Sequence, residues 1–279
     1  MAAISRVELT TNDPVSATSD LIFAFPPDTP EQRLLDIDVD GARLTEVVQA
    51  RDSGQCALRL TVEAGVRPTV RFSLADRGPG FAPWMFASRG AHHEEPSREL
   101  IRLIGDVVGR AETAAERVEC IVRHVEERFT YGHRDVGLGD DTEQMPALAC
   151  DTHLGTCIDT HSYAVAAMRA AGIDSAYVSG VFFAEGQAEN APGHCWFVIR
   201  AAGAPHHWDI SHHLKHGLGA TTPAYNPLPG HRYALAIGRD LVFDTHGGPV
   251  EFSRLCGFCR FSGPDRGETL PTLARLLDA

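Results

Sequence analysis

The stretch that most constrains the fold is residues 154–172, LGTCIDTHSYAVAAMRAAG. Its large apolar residues lie near one helical face with alanines beside them, which predicts a buried helix. Gly172 follows the last periodic residue and suits the left-handed position that ends a helix. Cys157 then lies in the first helical turn, where unpaired backbone N–H groups favour negative charge and a lowered thiol pKa. On the helix alone, a nucleophilic cysteine and a packed structural cysteine are equally good interpretations.

The composition excludes several classes of protein. The 279 residues are 43% hydrophobic and 22% charged, which is typical of a soluble globular chain, and the formal net charge of −12 provides no basic surface for nucleic acid or anionic lipid. Seven widely spaced cysteines do not form the pattern of a secreted disulfide framework. Because the sequence shows neither a membrane-spanning run nor a signal peptide, we expect a cytoplasmic protein with reduced thiols and no nucleic-acid or membrane partner.

Two domains are predicted. Short alternating apolar runs separated by Pro, Gly, Asp and Asn occupy residues 1–76, the pattern of an antiparallel β-domain. Pro68 indicates that the last run is an edge strand or begins later. Residues 77–97 are a Gly- and Pro-rich connection, so we place an N-terminal β-domain at residues 1–95 and a second domain at residues 96–279.

The second domain has an α+β pattern. Ser97 is a candidate cap for a first helix, a second helix follows, and residues 132–153 form a long loop before the cysteine helix. Consecutive strand candidates with short links are then expected to be antiparallel neighbours. The predicted strands are 176–183, 194–200, 206–210 and 234–243. A turn is predicted at 202–203, and a short amphipathic segment at 270–277.

A histidine and an aspartate occupy matching places on two of these strands. His194 opens one strand, and Asp209 lies 15 residues later on the next one, beyond a single turn. Antiparallel strands joined in this way can place the two side chains together, and the helix of Cys157 packed across the sheet would bring its thiol to the other imidazole nitrogen. A thiol nucleophile needs such a base, and the base needs an orienting group.

These segments together resemble the transglutaminase-like superfamily, and in particular its bacterial cysteine proteases and amidases. The resemblance covers residues 112–212 for the core and residues 1–111 more loosely. Asp174 stands where the family commonly has proline, and Cys195 follows the histidine; both are departures. The matching motifs are Phe129-Thr130-Tyr131, Gly155-Thr156-Cys157, the helix end Met168–Ile173, the strand Ala176–Gly180, His194-Cys195-Trp196-Phe197-Val198 and Trp208-Asp209.

The resemblance implies a papain-like, transglutaminase-like core in which the cysteine helix packs on an antiparallel sheet. It also implies Cys157 as the nucleophile, His194 as the general base and acid, and Asp209 as the residue that orients His194. The expected reaction is hydrolysis of an amide, in a peptide or a small molecule, through a thioester and without a cofactor. The alternatives are amide-forming acyl transfer and a non-catalytic peptide-binding module; the substrate's identity and the oligomeric state stay open.

Several polar clusters have a structural and a functional interpretation. The Cys157 N–H is a candidate oxyanion donor, with Gln144, His153 or Thr156 as the second donor. Asp159 is expected to stabilise the first helical turn, and His161 to be packed or solvated rather than to line the pocket.

Two histidine-rich segments contain residue types that can bind a metal ion. The cluster 206–216 with Cys256 and Cys259 offers ligand types for zinc, and His212 and His216 have helical i, i+4 spacing. We favour a polar loop and two reduced thiols there, and a solvated loop for residues 92–95, so no metal is expected.

Overall fold

The computed structural model describes residues 3–87, 90–201, 204–261 and 267–277. The helices are α1 (Arg98–Val108), α2 (Ala114–Arg128), α3 (Cys157–Ala170) and α4 (Ile210–His216). The strands are β1 (Ile4–Thr11), β2 (Ser19–Ala24), β3 (Arg33–Asp40), β4 (Arg43–Gln49), β5 (Cys56–Val62), β6 (Thr69–Ala75), β7 (Phe129–Tyr131), β8 (His153–Gly155), β9 (Asp174–Ala184), β10 (Glu189–Asn190), β11 (His194–Ala201), β12 (Ala204–Trp208), β13 (Gly230–Ile237), β14 (Leu241–Thr245), β15 (Gly248–Phe252), β16 (Phe258–Arg260), β17 (Glu268–Thr269) and β18 (Thr272–Leu276).

The described residues group into two compact units. Unit 1 draws on residues 1–85, 179–193 and 229–279, and unit 2 on residues 86–178 and 194–228. The β-rich N-terminal part of the chain therefore groups with two later segments. The sequence predicts a single domain boundary at residue 95, and that boundary stays a prediction.

Unit 1 is built from antiparallel sheets. One has the strand order β10-β18-β1-β6-β3 and the other β17-β16-β2-β5-β4. Alternate residues of β6, namely Val70, Phe72 and Leu74, are buried, as the period of two along a strand requires. β6 begins at Thr69, directly after Pro68, so the later start that this proline indicated is confirmed.

Unit 2 holds the buried helix. α3 packs against α1, α2 and β11 around a core that includes Tyr163, Met168, Phe197 and Ile199. β11 pairs with β12 as an antiparallel hairpin, with the start of β9 in the same sheet. The predicted α+β class, with the cysteine helix packed on an antiparallel sheet and a β-rich N-terminal region, is confirmed.

The helix boundaries follow from local capping. Ser97 caps α1 by accepting the Leu100 N–H at 3.1 Å, as the sequence predicts. Thr113 and Glu116 form a capping box at the start of α2. Gly172, with φ +71°, supplies the left-handed residue after α3.

Two segments differ from expectation, and a third cannot be compared. The single strand predicted at 234–243 is two strands, β13 and β14, because Gly238 and Asp240 have φ values of 91° and 52° and turn the chain between them. The amphipathic segment 270–277 contains strand β18, which pairs with β1, so its alternation was that of a strand. The predicted turn at 202–203 lies outside the described residues.

The predicted solvated loop at residues 92–95 is wrong for two of its residues. His93 and Glu94 are both fully buried. Glu94 pairs with Arg169 of α3 at 3.0 Å, and His93 Nε2 lies 2.9 Å from Asp140 Oδ1. Polar residues read as solvated in sequence are buried here because each has an oppositely charged or hydrogen-bonding partner from a distant segment.

The backbone at Gly155, two residues before Cys157, is tightly packed. A Cβ there would lie 2.6 Å from Cδ1 of the buried Phe129 ring. We expect Gly155→Ala to lower the free energy of unfolding by ~1–3 kcal/mol, because a buried ring has little room to move. Urea denaturation measures this change.

Gly105 provides the matched control in α1, because a Cβ there meets nothing within 4 Å. Gly105→Ala should raise the free energy of unfolding by ~0.5–1 kcal/mol through helix propensity. Equal denaturation midpoints for wild type and Gly155→Ala would contradict the predicted clash.

Candidate active site

Cys157 is the first residue of α3, and a capping box holds it there. Thr156 Oγ1 accepts the Ile158 N–H at 3.2 Å, and Asp159 Oδ2 accepts the Thr156 N–H at 2.8 Å. Asp159 Oδ1 also accepts the Leu138 N–H at 2.7 Å, which connects the loop 132–153 to the helix start. Asp159 therefore stabilises the first turn, as the sequence indicated, and does so by hydrogen bonds.

His194 and Asp209 are brought together as the sequence predicted. His194 Nε2 lies 2.8 Å from Asp209 Oδ2. The Asp209 carboxylate is 1% exposed, whereas the imidazole is only partly buried. Since Nε2 faces the carboxylate, Nδ1 is the nitrogen left to face Cys157, whose thiol is hydrogen-bonded to His194. The structure thus assembles a thiol, an imidazole and a carboxylate in one contact chain.

The predicted position of Asp209 on a strand needs correction. β12 ends at Trp208, and Asp209 is the N-cap of α4, where its Oδ1 accepts the His212 N–H at 3.0 Å and the Ser211 hydroxyl at 2.9 Å. An aspartate is a preferred N-cap because its carboxylate satisfies an unpaired N–H of the first turn. Two further hydrogen bonds thereby hold the carboxylate in place beside His194.

His212 belongs to this group, which the sequence reading did not anticipate. Its Nδ1 lies 3.1 Å from Asp209 Oδ2, and its ring stacks on the His194 ring with centroids 4.1 Å apart and planes 12° apart. The signal available in the sequence was the spacing of three between an N-cap aspartate and a helical histidine. The i, i+4 spacing in the sequence pairs His212 with His216 instead, whose ring centroid lies 5.6 Å from that of His212 on an exposed residue.

His161 lies one turn beyond Cys157 and is completely buried. Its Nε2 accepts the Ser211 N–H at 3.3 Å and is 3.6 Å from Asp209 Oδ1. Its Nδ1 lies 3.6 Å from the Sγ of the buried Cys195. The expectation of a packed histidine is therefore correct as to burial, and these three polar contacts connect the ring to residues of the same site.

The electrostatics of the site favour a thiolate. The pKa of Cys157 is well below its ordinary value, chiefly because of a hydrogen bond with Cys195, then a hydrogen bond with His194 and the positive charge of His194. Burial acts in the opposite direction. The pKa of Tyr131 in β7 is raised chiefly by burial, and the negative charge of the Cys157 thiolate acts in the same direction.

The contacts of the structure narrow the choice of hydrogen-bond donors to the oxyanion. The Thr156 N–H is taken by Asp159, and Gln144 is exposed. His153 starts β8, which pairs in parallel with β7. The Cys157 N–H at the helix start therefore stays the prediction for a first donor, with His153 for the second.

One set of potential metal ligands in the structure was not indicated by the sequence, whereas the pair Cys256 and Cys259 was. Within the described residues, His194, Asp209 and His212 hold ligand atoms within 4.8 Å of one another, and each already contacts another member of the set. Cys256 and Cys259 are buried in unit 1, where burial raises the pKa of Cys259 to about 12 and its thiol contacts Thr269 Oγ1 at 3.7 Å.

Comparison with known proteins gives a family. Residues 101–208, which include Cys157 and His194 and end one residue before Asp209, match the model of the transglutaminase-like superfamily. These residues form a transglutaminase-like domain. A search of curated proteins gives no match.

Comparison with solved structures gives one alignment that supports a shared fold and others that are weaker. A protein from Cytophaga hutchinsonii, provisionally named a cysteine protease, aligns over 99% of this chain and 98% of its own, with 14% identity and a TM-score of 0.54. The periplasmic domain of TgpA from Pseudomonas aeruginosa aligns over 80% of this chain and 94% of its own, with 15% identity and a TM-score of 0.40. The first alignment extends the shared fold over nearly the whole chain.

The lowered pKa of Cys157 has a direct consequence for alkylation. A free thiol loses about tenfold in iodoacetamide reactivity for each pH unit below its pKa, because only the thiolate reacts. Between pH 8 and pH 6, Cys157 should lose less of its labelling rate than free cysteine does, as followed by peptide mass spectrometry.

Cys259 supplies the internal control, since its pKa of about 12 and its burial should block labelling until the protein is denatured. A Cys157 rate that declines in parallel with that of free cysteine would contradict the lowered pKa.

Proposed function

We propose that the chain is a thiol-dependent hydrolase that cleaves an amide bond through a thioester acyl-enzyme. The observation that carries the proposal is the contact chain Cys157–His194–Asp209, with the cysteine at a helix start and the carboxylate buried. In this assignment Cys157 is the nucleophile, His194 the general base and acid, and Asp209 the residue that orients the imidazole. The substrate class is a peptide or a small amide.

Each step of the reaction has a residue to move its proton. The Cys157 thiolate attacks the carbonyl carbon, and the C–N bond then breaks as the protonated His194 gives its proton to the leaving amine. Water next attacks the thioester while His194 takes one of its protons, and the C–S bond breaks so that the carboxylic acid leaves, to ionise in solvent, as the Cys157 thiolate re-forms beside protonated His194. Acid–base help of this kind contributes ~10²–10⁴-fold in rate.

The buried carboxylate has a defined part in this scheme. By accepting the Nε2–H of His194, Asp209 keeps Nδ1 directed at the thiol and stabilises the imidazolium that the first step needs. The Ser211 hydroxyl and the His212 N–H hold the other carboxylate oxygen, so the orienting group is itself oriented.

Two alternatives use the same cleft. Amide-forming acyl transfer would differ only in that an amine, in place of water, attacks the thioester. A non-catalytic peptide-binding module would need no thiol. Hydrolysis is favoured by analogy with the Cytophaga protein, whose provisional name is that of a cysteine protease.

No helix in the described ranges combines the length and apolar character that a membrane crossing requires. The cytoplasmic location stays a prediction, as does the absence of nucleic-acid and membrane partners.

Substitution of the three residues tests the assignment. With short peptides and small amides as substrates, Cys157→Ala should abolish turnover and His194→Ala should do nearly as much. Asp209→Asn should lower kcat by up to ~10⁴-fold, because an amide side chain favours the wrong imidazole tautomer. Full activity in Asp209→Asn would assign the orienting role to another residue.

The product separates the three candidate functions. A hydrolase releases the free acid at an undiminished rate when a primary amine is added, whereas a transferase incorporates the amine. If Cys157→Ala and wild type bind the same peptides equally and neither releases product, the binding-module alternative replaces the hydrolase. Cys150→Ala, which removes an exposed thiol, is the matched control and should keep full turnover.

A further inference from the structure

Cys195 is the buried thiol of this site that the proposed triad does not use. It directly follows His194 in β11 and has no exposed surface. Cys195, Phe197 and Ile199 alternate along the strand and contribute to the core that contains α3, so the thiol projects toward the helix that begins at Cys157. Cys195 and Cys157 belong to the same buried cluster, and a hydrogen bond between their thiols is the first cause of the lowered pKa of Cys157.

We propose that Cys195 is a positioning residue, whose S–H donates a hydrogen bond to the Cys157 thiolate and whose own orientation is set by His161. The proposal rests on the proposed role of Cys157 as the nucleophile and adds a second group that holds it. It gives a role to Cys195, which departs from the family pattern, and to His161, which lies one turn beyond Cys157 in α3.

The direction of the hydrogen bonds follows from a backbone group. The Ser211 N–H can only donate, so His161 Nε2, at 3.3 Å, must accept. The ring proton of the neutral imidazole is then on Nδ1, which lies 3.6 Å from the Cys195 sulfur and donates to it. With its sulfur engaged as an acceptor, Cys195 is left with its S–H as a donor for Cys157.

The ionisable groups of the site come from four elements. β11 contributes His194 and Cys195, and α3 contributes Cys157 and His161. Tyr131 lies in β7, and Asp209 caps α4. The Asp209 carboxylate is negative and burial opposes a thiolate, so hydrogen-bond donors to the sulfur are needed to keep the charge. A hydrogen bond with Cys195 is the largest single cause of the lowered pKa of Cys157.

The test is the pH profile of Cys157 alkylation in wild type and in two variants. Cys195→Ala removes the donor and should raise the midpoint of the profile by about one pH unit, which makes the reaction with iodoacetamide about tenfold slower at pH values well below the wild-type midpoint. Cys195→Ser restores a donor and should return the midpoint most of the way to that of wild type. A purely structural thiol would not produce this difference between Ala and Ser.

Cys256→Ala is the matched control, since it removes a thiol that is 1% exposed in unit 1 and should leave the profile unchanged. If Cys195→Ala does not fold, the isosteric pair Cys195→Thr and Cys195→Val repeats the comparison with and without a hydroxyl donor. An unchanged midpoint in Cys195→Ala, or equal shifts in the donor and non-donor variants, overturns the proposal.

Alkylation needs no substrate, so the outcome is separate from that of the proposed hydrolase. A shifted profile without turnover in any amide assay would support the positioning role and count against the hydrolase. Turnover with an unshifted profile would support the hydrolase and overturn the positioning role of Cys195.

Discussion

The buried carboxylate of Asp209 is the group on which the rest of the site depends. A charge with 1% exposure is costly unless it is hydrogen-bonded, and here the Ser211 hydroxyl, the His212 N–H and the His194 imidazole surround it. The same carboxylate caps α4, so the helix and the imidazole are positioned together. Removing the charge would therefore affect local structure and chemistry at once.

The second constraint is the burial of α3. A helix with apolar or small residues on most of its surface must be enclosed, and α1, α2 and β11 enclose it. This packing brings the helix start against the beginning of β11, where His194 and Cys195 follow one another. Because alternate strand residues face opposite sides, only the strand end allows both neighbours to reach the same sulfur.

The site also shows why polar residues were harder to interpret than apolar ones. Apolar periodicity located the helices and most strands because burial acts on each element separately. Glu94, His161 and His212 were each read as solvated, packed or metal-binding, yet each is buried or nearly buried against a specific partner. Which partner it meets depends on contacts across the fold, and no local pattern encodes them.

What the sequence determined by itself is local. The capped start of α3 at Cys157, the left-handed Gly172 at its end and the spacing of His194 from Asp209 follow from residue preferences that act within a few positions. Only the tertiary structure decided that Cys195 and His161, 34 residues apart, share a hydrogen bond. It likewise decided that His161 accepts from Ser211, 50 residues away. The physical reason is that hydrogen-bond partners are chosen by the packing of α3 on β11 and α4, which brings distant residues together after the local elements have formed.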